Sequence, residues 1–195
     1  MRKPELLAPA GDLEKLKMAL IYGADAVYLG GEQFGLRKAA KNFNLDQIEE
    51  GVNFAHERGK NVYVTLNIIP HNEDLEGLRE YLLALVDAKV DAIIVASMHI
   101  AMEALKIAPS LEVHLSTQMS VANTPAVNYI ANLGIKRVVL AREVTLRQIE
   151  EICQNTLTEI EVFIHGGMCV SYSGRCMLSN YMTNRDANRG GCAHS

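Results

Sequence analysis

Apolar residues along this chain keep two rhythms that alternate from one end to the other. Short runs at Leu6 to Ala8, Ala26 to Leu29, Asn61 to Ile69, Ala92 to Ala96, Glu112 to Ser116, Arg137 to Ala141 and Ile160 to Ile164 predict strands. A near-continuous apolar run of that length suits a strand buried on both faces of a parallel sheet. Between the runs, apolar positions recur at the spacing of one buried helix face, as in Leu45, Ile48, Val52 and Ala55, or Leu75, Leu78, Leu82, Leu85 and Val86. Further helices are predicted from Leu13 to Leu20, Met98 to Ala108, Thr124 to Leu133 and Thr145 to Gln154. Asp12, Asn44, Asn72 and Ser97 stand where a side chain caps free amides, Pro125 fits a first turn, and Gly59 and Gly134 fit stops. Cys153 shares the stripe of Leu146, Ile149 and Ile152 and is expected in the core as a small hydrophobe.

Strand and helix units of about 25 to 30 residues, repeated in this way, mean parallel strands joined by right-handed crossovers. An open doubly wound sheet and a (β/α)8 barrel both satisfy the pattern. No G-x-G-x-x-G follows the first strand. Distinctive residues gather instead at the C-terminal ends of the strands: Pro9-Ala10-Gly11, Gly30-Gly31, Thr65-Leu66-Asn67, Ser116-Thr117-Gln118, Ala141-Arg142-Glu143 and His165-Gly166-Gly167. Barrel enzymes build their sites on that face. About seven units are present and the eighth is missing, so the expectation is an incomplete TIM-type (β/α)8 barrel of parallel strands. It forms one domain over residues 1–195, the N-terminal portion of a longer protein, with a cysteine-bearing loop over 166–195.

Composition narrows the chemistry. With 195 residues, 49% of them hydrophobic, the chain has enough apolar material for one substantial core. A net charge of -4 with scattered cations argues against passive electrostatic attachment to nucleic acid or membrane. The apolar run Leu6 to Pro9 is too short for a signal peptide, and no stretch approaches the roughly 20 apolar residues of a membrane span. A cytoplasmic protein is expected, whose clustered cysteines are metal-binding or catalytic rather than disulfide-bonded.

Three of the four cysteines, Cys169, Cys176 and Cys192, lie near the C-terminal end beside Gly-Gly or Ser-Gly turns. Glycine permits the close backbone approach that a ligand loop needs, and soft thiolates suit an iron-sulfur cluster or zinc. No C-x-x-C occurs, so a zinc ribbon is not indicated, while Cys169, Cys176, Cys192 and His194 compose a Cys3His zinc alternative. For a thiol peptidase, His165 or His114 would have to serve as base, and nothing in the spacing positions either beside a cysteine. His114 otherwise fits a satisfied histidine inside the barrel. A helical H-E-x-x-H is absent. Arg175, Arg185 and Arg189 form the one local concentration of cations, suited to RNA phosphates or to a solvated loop.

The run Glu161, Phe163, His165-Gly166, Met168-Cys169, Ser173-Gly174-Arg175-Cys176 and Leu178-Ser179, followed by Asn188-Arg189-Gly190-Gly191-Cys192, resembles the signature of the collagenase-like peptidase family U32. Pro4 to Gly11, Ala24-Asp25-Ala26-Val27-Tyr28 and His114 to Gln118 resemble the same family's N-terminal half. The resemblance covers essentially the whole chain.

That resemblance implies one of two activities: peptide hydrolysis, for which the family was named, or prephenate-linked or oxygen-independent hydroxylation of a tRNA wobble uridine, a ribosomal RNA base or the ubiquinone ring. Hydroxylating members carry an iron-sulfur cluster on four cysteines. Carried over by position, Cys169, Cys176 and Cys192 match three ligands of a [4Fe-4S] cluster, the fourth lying past Ser195. His194 stands where relatives tend to have glutamine. The expected function is hydroxylation of a tRNA wobble uridine, with prephenate as cosubstrate, RNA as partner and a paired family subunit as a further partner. For such a reaction Arg142, Asn67, Gln118, His165 and Arg37 are the candidate binding groups, with Glu143 or Glu161 as acid or base. A peptidase, or a non-catalytic partner subunit, is the alternative.

Overall fold

The computed structural model describes residues 3–36, 42–167 and 169–192. Its sheet is built from β1 (Leu7–Pro9), β2 (Ala26–Gly30), β3 (Asn61–Leu66), β4 (Ala92–Val95), β5 (Glu112–Leu115), β6 (Arg137–Val139) and β7 (Glu159–Glu161). The seven strands lie in sequence order and every pairing is parallel. Between them run α1 (Leu13–Ile21), α2 (Leu45–His56), α3 (Leu78–Asp87), α4 (Met98–Ile107), α5 (Thr124–Asn132) and α6 (Leu146–Gln154), and α7 (Leu178–Thr183) follows β7. The sheet curls into a partial (β/α)8 barrel, as the alternating rhythms require. Its curvature brings Arg137 of β6 within 2.7 Å of Glu5, just ahead of β1.

Side chains alternate along each strand. Val27, Leu29, Val62, Val64, Leu66, Ile93, Val95, Val113, Leu115 and Val138 pack outward against the helices in the main core. Ala26, Tyr63, Ala92 and Ile94 form a smaller cluster on the concave side, with Leu7 and Tyr28 against it. Both faces are covered along the central strands, which is why β2 and β4 read as apolar runs.

Helix starts follow the capping chemistry. Asp12 accepts the amide of Lys15, Asn44 and Gln47 form a reciprocal capping box, Asn123 accepts the amide of Ala126, and Thr145 pairs with Gln148. Three expectations differ from the structure. Asn72 opens a short 3-10 turn, Asn72–Leu75, and α3 starts only after Gly77, whose φ of 77° no L side chain adopts readily. Ser97 makes no side-chain cap bond. The third strand ends at Leu66, because the amides of Ile68 and Ile69 turn to Phe34 and Asn188 instead of a neighbouring strand.

Cys153 is exposed rather than in the core. Of its stripe only Ile152 is buried, while Leu146 is 85% exposed, so α6 presses a narrower face on the sheet than its spacing implies. His114 is inside the barrel as expected but is not satisfied: among the described residues neither ring nitrogen has a hydrogen-bond partner, and the Glu112 carboxylate stands 3.6 Å off.

Candidate functional site

Among the described residues, the chain leaving β7 does not form one open loop. Residues 169–192 fold as a tight turn at Tyr172–Gly174, then α7, then a second turn at Ala187–Arg189. Both turns are docked on loops that follow strands, which places the cysteine segment over the C-terminal mouth of the barrel.

The first docking contact uses the β6–α6 loop. Arg142 Nη2 donates to the carbonyl of Ser171 at 2.8 Å. Glu143 takes the amide of Ser173 on Oε1 at 2.8 Å and its hydroxyl on Oε2 at 3.2 Å. Ser173 is fully buried at a φ of 49°, an uncommon backbone state for a residue other than glycine that the Glu143 contacts help to hold. Burial pushes the Glu143 carboxyl up, but the Ser173 amide and hydroxyl outweigh it and leave the group below the ordinary carboxylate value. A Cβ placed on Gly174 would meet Arg142 Nη2 and Gln118 Cγ, both at 3.9 Å, so the turn lies over these two side chains.

Beneath that turn two donors lack acceptors. Gln118 is 4% exposed, and its Oε1 accepts the Ser116 hydroxyl at 3.4 Å while Nε2 has no partner among the described residues. Arg142 Nε is likewise buried without one. Unpaired buried donors are costly, so this pair is suited to an oxygen acceptor such as a carboxylate or a base carbonyl.

The second docking contact uses the β3–α3 connection. Arg189 bonds Asp74 at 2.7 Å and Glu73 at 3.2 Å, so it is engaged in the fold, whereas Arg175 and Arg185 are exposed. Asn188 donates to the Cys176 carbonyl and accepts its amide. Cys176 is half-buried. The Ser171 hydroxyl, then the amides of Ser179 and Leu178 at the start of α7, lower its thiol below the ordinary value by stabilising the thiolate. Cys169 is exposed and its sulfur accepts the amide of Ser171 at 3.4 Å, and Cys192 is exposed. All three thiols are free. Among the described residues, these three thiols included, no group of three or more His, Cys, Asp or Glu side chains gathers where it could hold a metal ion.

The remaining candidates scatter. Asn67 Oδ1 accepts the amide of Leu36 at 3.2 Å and so steadies the connection after β2. His165 is exposed in the turn after β7. Glu161 is not at the mouth: its carboxylate points into the barrel, 3.6 Å from Arg137, and burial raises its pKa against the pull of that guanidinium. Arg37 and His194 lie outside the described residues. The sequence did not single out Ser171, Ser173 or Asn188 individually, because their contacts reach 12 to 30 positions along the chain. Among the described residues neither His114 nor His165 hydrogen-bonds a cysteine, and no helix is long and apolar enough to cross a membrane.

The model of Peptidase family U32 matches residues 11–195. The tRNA hydroxylation protein P1 of Bacillus subtilis strain 168 is 56% identical over 194 residues, which is 100% of this chain and 46% of that protein. The 23S rRNA 5-hydroxycytidine C2501 synthase of Escherichia coli K12 is 44% identical over 98% of this chain and 29% of its own length. This chain therefore spans less than half the length of either relative. The structure of the U32 peptidase Mk0906 superposes with a TM-score of 0.66 at 16% identity, over 83% of this chain and 70% of that one. At that identity the superposition speaks for the fold.

Proposed function

The chain belongs to peptidase family U32, and from that premise we propose that it supplies the barrel portion of an RNA-base hydroxylase acting on a tRNA wobble uridine. Relatives named for hydroxylation of tRNA and of 23S rRNA, matched along nearly all of this chain, support the reading. The observation that carries it within the molecule is the cysteine segment pinned over the barrel mouth by the bonds of Arg142, Glu143 and Arg189.

Thiolate donors fit an iron-sulfur cluster, and Cys169, Cys176 and Cys192 would hold it. When bound, such a cluster supplies one-electron chemistry. The chain's own residues do the rest. Gln118 Nε2 and Arg142 Nε offer two fixed donors to the carboxylate of a cosubstrate of the prephenate kind, or to a base carbonyl. The turn 171–174 above them keeps water away. Exposed Arg175 and Arg185 face outward, where RNA phosphates would approach.

A peptidase finds less support, since neither candidate histidine is bonded to a thiol. The test is nucleoside mass spectrometry of tRNA from cells lacking the gene and from complemented cells, together with iron and sulfide analysis of anaerobic protein. The reading requires a one-oxygen mass gain on the wobble uridine and about four irons per chain, both lost in a Cys169→Ala, Cys176→Ala variant. Unmodified tRNA in the complemented cells, or a colourless protein that cleaves gelatin, would sink it.

A further inference from the structure

The turn that leads to Cys192 also grips Cys176. Asn188 Oδ1 accepts the main-chain N–H of Cys176 at 3.3 Å, and Asn188 Nδ2 donates to the main-chain carbonyl of the same residue at 3.1 Å. One carboxamide thus pairs with both backbone groups of a single cysteine, as a neighbouring strand would. The carboxamide is itself fixed. Asp186 Oδ1 accepts the amide of Asn188 at 2.9 Å, and Gly191 N–H closes on the Asp186 carbonyl at 2.6 Å. Gly191 has no room for a side chain there, because a Cβ would stand 2.7 Å from that carbonyl oxygen.

From its other side the carbonyl of Asn188 accepts the amide of Ile69 at 3.0 Å, just past the end of β3. Arg189, the next residue, holds Asp74 at 2.7 Å. Asn188 is therefore a junction of three segments: the one presenting Cys176, the one presenting Cys192, and the exit of a central strand. A segment rich in Gly-Gly and Ser-Gly steps would otherwise lose conformational entropy each time two thiols met at one group. The grip on Cys176 has already met that cost in folding.

We infer that Asn188 is a positioning residue that sets the main chain of Cys176 in register with the turn leading to Cys192 and with the end of β3. This rests on the cysteine-ligand reading above. Asn188 acts through the main chain of Cys176 and touches neither sulfur nor substrate.

The test compares anaerobically prepared full chain with Asn188→Ala and Asn188→Asp, measuring iron release to a chelator alongside the visible circular dichroism of the cluster. After metal removal, the alkylation rate of Cys176 is read by mass spectrometry against exposed Cys153 as internal reference. The expectation for Asn188→Ala is iron release about tenfold faster or more, the usual scale for removing a residue that supports a ligand. An altered cluster spectrum and several-fold faster alkylation of Cys176 accompany it. Asn188→Asp keeps the acceptor for the Cys176 amide, loses the donor to its carbonyl, and falls between. Wild-type release and alkylation rates in Asn188→Ala overturn the inference. Should that variant fail to fold, Asn188→Asp decides on the same two rates, and wild-type values again overturn it. If the wild-type protein carries no iron, the cluster reading falls, and the alkylation comparison still decides whether Asn188 orders Cys176.

Discussion

Arg137 Nη1 lies 2.7 Å from Glu5 Oε1, so two residues 132 positions apart join the sixth strand to the approach of the first across the inside of the barrel. The same guanidinium bonds Glu159 at 2.6 Å, faces Glu161 at 3.6 Å and stacks over Tyr63 with 5.3 Å to the ring centroid. The Tyr63 hydroxyl in turn donates to Glu5 at 3.0 Å. One planar cation with five donors serves strands from both ends of the sheet, a task for which a fork is suited and a point charge is not.

Removing that cation leaves Glu5 and Glu161 facing each other without compensation. Arg137 is 11% exposed, so the loss belongs to the buried class, and Arg137→Met is expected to cost about 3–5 kcal/mol. Arg137→Lys should recover part of it. Urea unfolding of the two variants beside the wild type checks both statements, and a cost under about 1 kcal/mol for Arg137→Met would show the network to be solvent-screened.

His114 makes stability depend on pH. Burial, with Arg137 adding to it, brings the imidazole down to about 3, so it stays neutral in the fold while the unfolded chain takes up a proton near 6.5. In that window the unfolded state binds more protons, and stability rises with pH and falls toward acid. Between pH 6.5 and 5 the loss from this group should be about 2 kcal/mol. Glu161, raised by burial, acts with the opposite sign: its contribution is present at acid pH and is lost as pH rises through its folded value. The measurement is therefore the difference between wild type and His114→Leu in unfolding free energy at each pH. A difference that stays constant between pH 5 and 7 would rule the assignment out.

Those two residues also mark where sequence and structure part company. The alternation of runs and stripes carried the barrel, since the central strands β3 and β4 are largely buried on both faces and most helices start on a cap with a mechanism. The same reasoning offered Glu161 as an acid or base for the site, although it is the last residue of β7. Its side chain points inward to Arg137, a partner 24 positions earlier that no local pattern announces. Arg142 and Glu143 were legible as residues at a strand end. Their task, holding Ser171 and Ser173, depends on where the chain returns after β7 and becomes visible only in three dimensions.

Glu143→Ala should undock the turn at 171–174 without unfolding the barrel. The carboxylate is exposed, so solvent screening holds the two contacts to Ser173 to about 1 kcal/mol together. Amide exchange at Ser173 and Gly174 is then expected to quicken about fivefold, with the strands unchanged. Because the Glu143 pKa is lowered in the fold, the contribution is present above the ordinary carboxylate value and is lost as pH falls through the folded one. Wild-type protein should approach the variant's exchange rate at acid pH after correction for intrinsic exchange. Equal protection of the turn in both proteins at neutral pH would remove Glu143 from its docking role.

Gly31, at the exit of β2, supports a close approach that a double-mutant cycle can isolate. A Cβ there would sit on the Tyr81 hydroxyl and 3.2 Å from Cζ. The ring has little freedom to retreat: Tyr81 is 5% exposed in the core and tilts against Phe34 with 5.7 Å between centroids. Its hydroxyl has no hydrogen-bond partner among the described residues, and burial pushes the phenol up to about 12. Gly31→Ala alone should cost about 1–3 kcal/mol as an overpacked core site. Tyr81→Phe alone removes a buried group that makes no bond and should be close to neutral. In the double variant the methyl takes the space the hydroxyl vacates, so most of the Gly31→Ala cost should return, giving a coupling energy of about 1–2 kcal/mol. Thermal unfolding of the four proteins supplies the cycle. Additive effects would mean that the backbone at Gly31, not the Tyr81 hydroxyl, sets the requirement for glycine.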